Sequence, residues 1–101
     1  MEIEHNIESD TLTIALRGKF TFADQEEFKS LFSSLEADDI KHCLIDSSEL
    51  EFVDSAALGL FLLLREQAEK HDVKLVLKSP SGQVKQMFDL SRFPELFTIE
   101  D

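Results

Sequence analysis

The stretch from Glu51 to Gly59 lies between an apolar strand and an apolar helix, and it limits most strongly how this chain can fold. Residues 40–46 are apolar at their centre, which predicts a strand buried on both faces, as in parallel pairing. Residues 47–53 are more polar and are predicted to form a connecting loop. Residues 55–71 start with an apolar run, which predicts a helix whose first half is buried or meets a partner. A buried strand followed closely by a buried helix is typical of an α/β fold.

The N-terminal part of the chain predicts a β-hairpin. Residues 2–8 and residues 11–17 both alternate between polar and apolar side chains, as half-buried strands do. Only Ser9 and Asp10 separate the two runs, and so short a polar break indicates a hairpin turn. We expect Gly18 to close the second strand.

A first helix is predicted after the hairpin. Asp24, with Glu27 three residues later, resembles a capping box. Four apolar side chains then follow at helical spacing. These are Phe28, Leu31, Phe32 and Leu35. The helix should therefore run to about Leu35 and end in a turn at residues 36–39.

The C-terminal third predicts a strand, a helix and a closing strand. Residues 73–77 form the strand, and Ser79 with Pro80 suggests a helix start with serine as the cap. Residues 93–94 should break that helix before a strand at residues 96–99. The element order is then β-β-α-β-α-β-α-β. We expect a single α/β domain over residues 1–101, with a mixed, mostly parallel sheet of about five strands.

Composition excludes several function classes. The chain has 10 basic and 21 acidic residues and a formal net charge of −11, which argues against nucleic-acid and anionic membrane partners. The single cysteine, Cys43, lies in an apolar strand and is expected to be a buried thiol. There is no signal-peptide pattern and no apolar run long enough for membrane insertion. We therefore expect a cytoplasmic protein.

Catalytic and metal-binding motifs are missing from the sequence. The three glycines are not clustered as a phosphate-binding loop needs, and Ser55 lacks the flanking glycines of a hydrolase nucleophile. The three histidines are far apart and form no metal-ligand pattern. Asp46 ends a strand where a phospho-accepting aspartate could lie, but an acidic pair after the first strand is absent. We predict no enzymatic activity, no cofactor and no metal.

Ser55 has two interpretations on physical grounds. As the cap of the following helix it would contribute about 1 kcal/mol. Alternatively, it is a phosphorylation site, because the free N–H groups and dipole of a helix N-terminus favour an anion. A phosphate there would repel a partner that docks on the start of the helix. We predict that this docking surface comprises Asp46, Asp54, Ser55, Ala56, Ala57 and Leu60, with further negative charge from Glu49 and Glu51.

The pattern around Ser55 resembles the signature of the STAS domain family, and within it the bacterial anti-sigma factor antagonists. The core is Asp54 and Ser55 followed by Leu58 and Gly59, after an apolar strand that ends in Asp46. Further matching segments are residues 75–77, 79–81, 87–91 and 96–97, together with Gly18. The resemblance therefore covers nearly the whole chain. Two positions depart from the pattern, since Ala56 replaces a second serine and Ala57 replaces a glycine.

This resemblance implies a function in partner switching. Ser55 would be phosphorylated by a GHKL-type serine kinase that is also an anti-sigma factor. The unphosphorylated protein would bind that kinase, phosphorylation would release it, and a serine phosphatase would reset the switch. The family also implies alternatives, namely partner switching with an output other than a sigma factor, or a structural subunit of a complex such as a lipid transporter.

Overall fold

Five strands form one mixed sheet, in a computed structural model that describes residues 1–37 and 39–101. The strands are β1 (Glu2–Glu8), β2 (Thr11–Phe20), β3 (His42–Val53), β4 (Lys74–Lys78) and β5 (Thr98–Glu100). They lie side by side in the order of the sequence. β1 is antiparallel to β2, and all other neighbours are parallel. The predicted hairpin and the mixed, mostly parallel α/β fold are confirmed.

The helices cover one face of this sheet. They are α1 (Gln25–Lys29), α2 (Ser55–Lys70), α3 (Gly82–Leu90) and α4 (Phe93–Leu96), and α1 is flanked by 3₁₀ turns at Phe22–Asp24 and Ser30–Glu36. Alternate side chains of the central strands are fully buried against the helices, as in Leu12 and Ile14 of β2. The intervening side chains, such as Thr13, are only half-buried. Asp38, in the turn predicted at residues 36–39, lies outside the described residues.

A cluster of phenylalanine rings joins α2 to the elements around it. The Phe61 ring lies 5.4 Å from both Phe20 and Phe88, 5.7 Å from Phe28 and 6.3 Å from Phe93, measured between ring centroids. All five side chains are at most 1% exposed. Because phenylalanine has no polar atom, these rings need no hydrogen-bond partner and can fill the centre of the core. Phe61 thereby anchors the middle of α2.

The predicted loop at residues 47–53 is wrong, because β3 continues through it to Val53. Two register shifts let eight residues of β3, from Asp46 to Val53, pair with the six residues of β2 from Ala15 to Phe20. Each shift adds a residue to β3, as a β-bulge does. The buried positions therefore change from every second residue to every third, at Ser47, Leu50 and Val53.

The first helix is shorter and less regular than the pattern indicates. Its predicted inner stripe is nevertheless buried or half-buried. The capping box at Asp24 and Glu27 is wrong, because the Asp24 carboxylate accepts a hydrogen bond from the N–H of Thr21, at 3.0 Å, before the helix. Gly18 also does not end β2. It lies inside the strand with a φ of +90°, which glycine adopts without strain.

Three details of the C-terminal third are also corrected. Ser79 is not the cap of α3, since Ser81 occupies that position and Ser79 has a φ of +57°. The N–H of Ser79 instead donates to the carbonyl oxygen of Glu100 at 2.6 Å. The closing strand predicted at residues 96–99 is present as β5, but it starts at Thr98 because α4 continues to Leu96. The chain does break at Phe93 and Pro94, which are the first two residues of α4.

Candidate functional site

Asp54 connects the end of β3 to the start of α2 and is the cap of that helix. Its Oδ1 atom accepts a hydrogen bond from the N–H of Ala57 at 2.8 Å. Its Oδ2 atom accepts another from the N–H of Phe22 at 3.1 Å. The N–H of Asp54 itself donates to the carbonyl oxygen of Phe20, at 3.2 Å. One carboxylate thus ties the helix start to the segment that follows β2.

Ser55 is the first residue of α2, and the interpretation of Ser55 as the cap is wrong. Its side chain is exposed, and its hydroxyl has no hydrogen-bond partner within the described part of the chain. The N–H groups of Ser55 and Ala56 stand at the helix start, where helix geometry provides no acceptor for them. A free hydroxyl therefore lies beside two free N–H donors at the positive end of a helix dipole.

Two exposed aromatic residues that the sequence pattern does not reveal are connected to the segment of Asp54 and Ser55. Phe52 precedes Ser55 by three residues, and the backbone N–H of Phe22 donates to Asp54. Phe22, whose N–H bonds to Asp54, is 63% exposed, and Phe52 at the end of β3 is 37% exposed. Alternation predicts only which face a strand residue occupies, and Phe22 belongs to an irregular turn. No sequence signal could have assigned it to this site. Exposed aromatic rings are common anchors of protein interfaces.

The outer face of α2 continues this apolar surface away from Ser55. Gly59 is exposed one turn further on, and Leu62 and Leu63 follow with 38% and 40% of their surface exposed. Residues at this spacing share one side of a helix. We call Phe22, Ser55, Gly59, Leu62 and Leu63 the α2 surface.

Ala57 and Leu60, which the sequence suggested as docking residues, face the core. Ala57 is 0% exposed and Leu60 is 4% exposed. Their side chains are therefore not part of the accessible surface, and a partner at this helix start would meet Ala56 and Gly59 instead. Asp54, Ser55 and Ala56 are consecutive at the helix start, and their role in partner binding stays a prediction.

Asp46 is not close to Ser55. It pairs with Ala15, whereas Val53 pairs with Phe20, so five residues of β2 separate the two positions. At the rise of a strand this is roughly 17 Å. The N–H of Ser48 donates to Asp46 and holds the pKa of its carboxyl below the usual range. Asp46 is therefore an ionised group of the distant sheet face.

Glu49 is likewise engaged elsewhere. Its carboxylate pairs with the guanidinium of Arg17, which also contacts Glu4 at 3.0 Å. These partners raise the pKa of Arg17 above its usual range. The negative charge of Glu49 is thus balanced locally, and Asp54 is the acidic group next to Ser55.

Removing the Asp54 carboxylate should destabilise the protein. Asp54→Ala leaves the N–H groups of Ala57 and Phe22 without acceptors, and we expect the free energy of unfolding to fall by about 2 kcal/mol. Urea denaturation followed by circular dichroism measures this change. Ser55→Ala is the matched control and should change stability by less than about 0.5 kcal/mol. Equal losses in both variants would contradict the assignment of Asp54 as the cap.

A cleft of about 380 Å³ lies at the same end of the sheet as Ser55, where β1 begins and β2 and β3 end, and it is lined by five residues that do not include Ser55. These are Met1, Glu2, Arg17, Gly18 and Glu51. Across residues 1–37 and 39–101, no three His, Cys, Asp or Glu side chains are grouped as a metal site requires. Over the same ranges, no helix has the length and hydropathy to cross a bilayer.

Comparisons with known proteins identify the fold around this site. A STAS-domain containing protein of Pseudomonas aeruginosa is 31% identical over 88 residues, which are 87% of this chain and 86% of that protein. A putative anti-sigma factor antagonist of Thermotoga maritima superposes with a TM-score of 0.85 at 18% identity, over 98% of this chain and 86% of that one.

The anti-sigma factor antagonist SpoIIAA of Bacillus has a similar fold in two states. Its unphosphorylated form gives a TM-score of 0.80 over 99% of this chain and 88% of that one. Its phosphorylated form gives 0.76 over 97% and 90%, and both are 19% identical to this chain. The STAS domain model matches residues 2–101. The chain therefore belongs to the STAS domain family.

Proposed function

We propose that this protein is a non-enzymatic binding module of the anti-sigma factor antagonist type, switched by phosphorylation of Ser55. The observation that carries this proposal is that Asp54, and not Ser55, caps α2. Because Asp54 caps α2, the Ser55 hydroxyl is exposed and not needed for the fold. Modification of Ser55 can therefore change the surface without dismantling the helix.

The unphosphorylated protein would bind its partner through the α2 surface. Leu62 and Leu63 are exposed apolar groups on the same side of α2 as the uncharged Ser55, and the exposed Phe22 is joined to Asp54 through its backbone N–H. Gly59 lies among them and has open space where a side chain would be, so a partner backbone can come close. With a net charge of −11, the chain suits a partner with a basic surface.

The partner in this proposal is a GHKL-type serine kinase that is also an anti-sigma factor. The Ser55 oxygen would attack the γ-phosphorus of ATP, ADP would leave, and the hydroxyl proton would pass to a base on the kinase. The product carries about −1.5 to −2 charges beside the Asp54 carboxylate. A serine phosphatase would hydrolyse the phosphate and restore binding. In this proposal the protein acts in the cytoplasm, where an ATP-dependent kinase would phosphorylate it.

A phosphate on Ser55 would be stabilised by the start of α2 and would prevent the partner from binding. The free N–H groups of Ser55 and Ala56 and the helix dipole favour a bound anion. In a complex the same charge would have to be buried against the apolar α2 surface and beside the Asp54 carboxylate, which is costly because of desolvation and like-charge repulsion. The complex would therefore dissociate while the module itself stays folded.

Phosphate mapping tests the proposed function directly. The protein is incubated with ATP and each GHKL-type serine kinase of the same genome in turn, and phosphorylated residues are mapped by mass spectrometry. We expect one phosphate, on Ser55, and none in Ser55→Ala. Ser81→Ala is the matched control, because Ser81 is also an exposed serine at a helix start, and it should be phosphorylated like the wild type. Phosphate on another residue, or none, would overturn the switch and favour a structural subunit.

A further inference from the structure

One edge of β3 loses its strand partner before the strand reaches Ser55. β4 pairs with β3 only as far as Lys78, opposite Asp46. β3 continues for seven more residues to Val53, and α3 packs beside that extension. Backbone N–H and C=O groups on an unpaired, half-buried edge need other partners. At the end of β3, these unpaired backbone groups lie next to the proposed phosphorylation site.

Gln83 supplies the missing partner at Val53. Its Oε1 atom accepts a hydrogen bond from the N–H of Val53 at 3.0 Å, and its Nε2 atom donates to the carbonyl oxygen of Val53 at 3.0 Å. A side-chain amide has the same donor and acceptor as a peptide group. Gln83 therefore imitates one residue of a neighbouring strand at the last position of β3.

These two bonds hold the chain immediately before Asp54 and Ser55. On the opposite side, the N–H of Asp54 is bound by Phe20 of β2. The Val53 side chain is fully buried, so the residue is fixed from the core and from both edges. α3 thus contributes directly to the position of the residues that begin α2.

We propose that Gln83 is a positioning residue that holds Ser55 in the geometry presented to the kinase. This inference rests on the proposed function, because it concerns the rate of phosphorylation at Ser55. Gln83 lies in the first turn of α3, whereas the exposed side chains of the α2 surface lie on other elements. Loss of its amide should therefore affect phosphoryl transfer more than docking.

Amide hydrogen exchange of the free protein tests the first half of this inference. Gln83→Met keeps the length of the side chain and removes both hydrogen bonds. We expect exchange at residues 53–57 to accelerate by about tenfold, with β2 as the internal reference. Gln86→Met is the matched control, because Gln86 is an exposed glutamine of the same helix, and it should leave exchange unchanged. A change confined to the Val53 amide would overturn the positioning role.

Steady-state kinetics with the same GHKL-type kinases and ATP test the second half. We expect Gln83→Met to lower kcat by about tenfold with KM for the protein substrate unchanged, because orientation is lost while the docking surface is kept. An unchanged kcat, or a rise in KM alone, would overturn the inference. If the wild type is not phosphorylated at all, the proposed function fails, and hydrogen exchange alone decides whether Gln83 positions this segment.

Discussion

Ser55→Asp should weaken binding to the partner of the unphosphorylated protein by about a hundredfold, whereas the affinity of Ser55→Ala should stay within about threefold of the wild type. The aspartate places a negative charge beside Asp54, at the start of α2 and within the α2 surface. In the complex this charge would be desolvated beside the Asp54 carboxylate. Like charges juxtaposed at an interface cost roughly several kcal/mol. Alanine removes only a hydroxyl that makes no hydrogen bond among the described residues.

Isothermal titration calorimetry without ATP measures both affinities, since phosphorylation cannot then occur. Loss of fold would not explain weak binding by Ser55→Asp, because an acidic residue in the first turn of a helix is favourable. Ser9→Asp is the matched control, placing the same charge on an exposed serine in the turn between β1 and β2, at the opposite end of the sheet. It should bind like the wild type. Equal affinity of Ser55→Asp and Ser55→Ala would contradict release by charge.

The parts of the fold that depend on local pattern are predictable from the sequence. Alternation in residues 2–8 and 11–17 suffices for the hairpin, because strand side chains point to opposite faces in turn. The apolar run after Ser55 suffices for α2, which ends at Lys70, close to the predicted His71. The order of the predicted elements then implies a mixed, mostly parallel sheet, because helical crossovers join parallel strands.

The end of β3 shows why other parts cannot be predicted. Its bulges depend on pairing with β2, which lies more than twenty positions earlier in the chain. With inward side chains at Ser47, Leu50 and Val53, the period is three rather than two, and the segment resembles a loop. A bulge therefore cannot be predicted from strand periodicity.

The candidate site is likewise predictable from the sequence only in part. Asp54 and Ser55 can be placed at a helix start from sequence, but both are types that cap helices, so the sequence leaves the cap ambiguous. The structure shows that Asp54 is the cap, and its carboxylate also accepts a hydrogen bond from the N–H of Phe22, 32 positions away. The bonds from Gln83 to Val53 span 30 positions. Contacts at that distance follow from packing, which no local pattern encodes.

Phe61→Ala should lower the free energy of unfolding by about 4 kcal/mol, through lost burial and the cavity left behind. Its ring is 0% exposed and lies within 6.3 Å of four other rings, counted between centroids. For a domain whose total stability is about 5–15 kcal/mol, this is a large fraction. Urea denaturation followed by circular dichroism measures the loss.

Leu62→Ala is the matched control, because Leu62 is the next residue of α2 but is 38% exposed. We expect it to cost less than about 1 kcal/mol of stability and to weaken partner binding, whereas the surviving folded fraction of Phe61→Ala should bind normally. The two faces of α2 would then be separable, one holding Ser55 in place and the other meeting the partner. A loss below about 1 kcal/mol for Phe61→Ala would show that the rings around it do not anchor the helix.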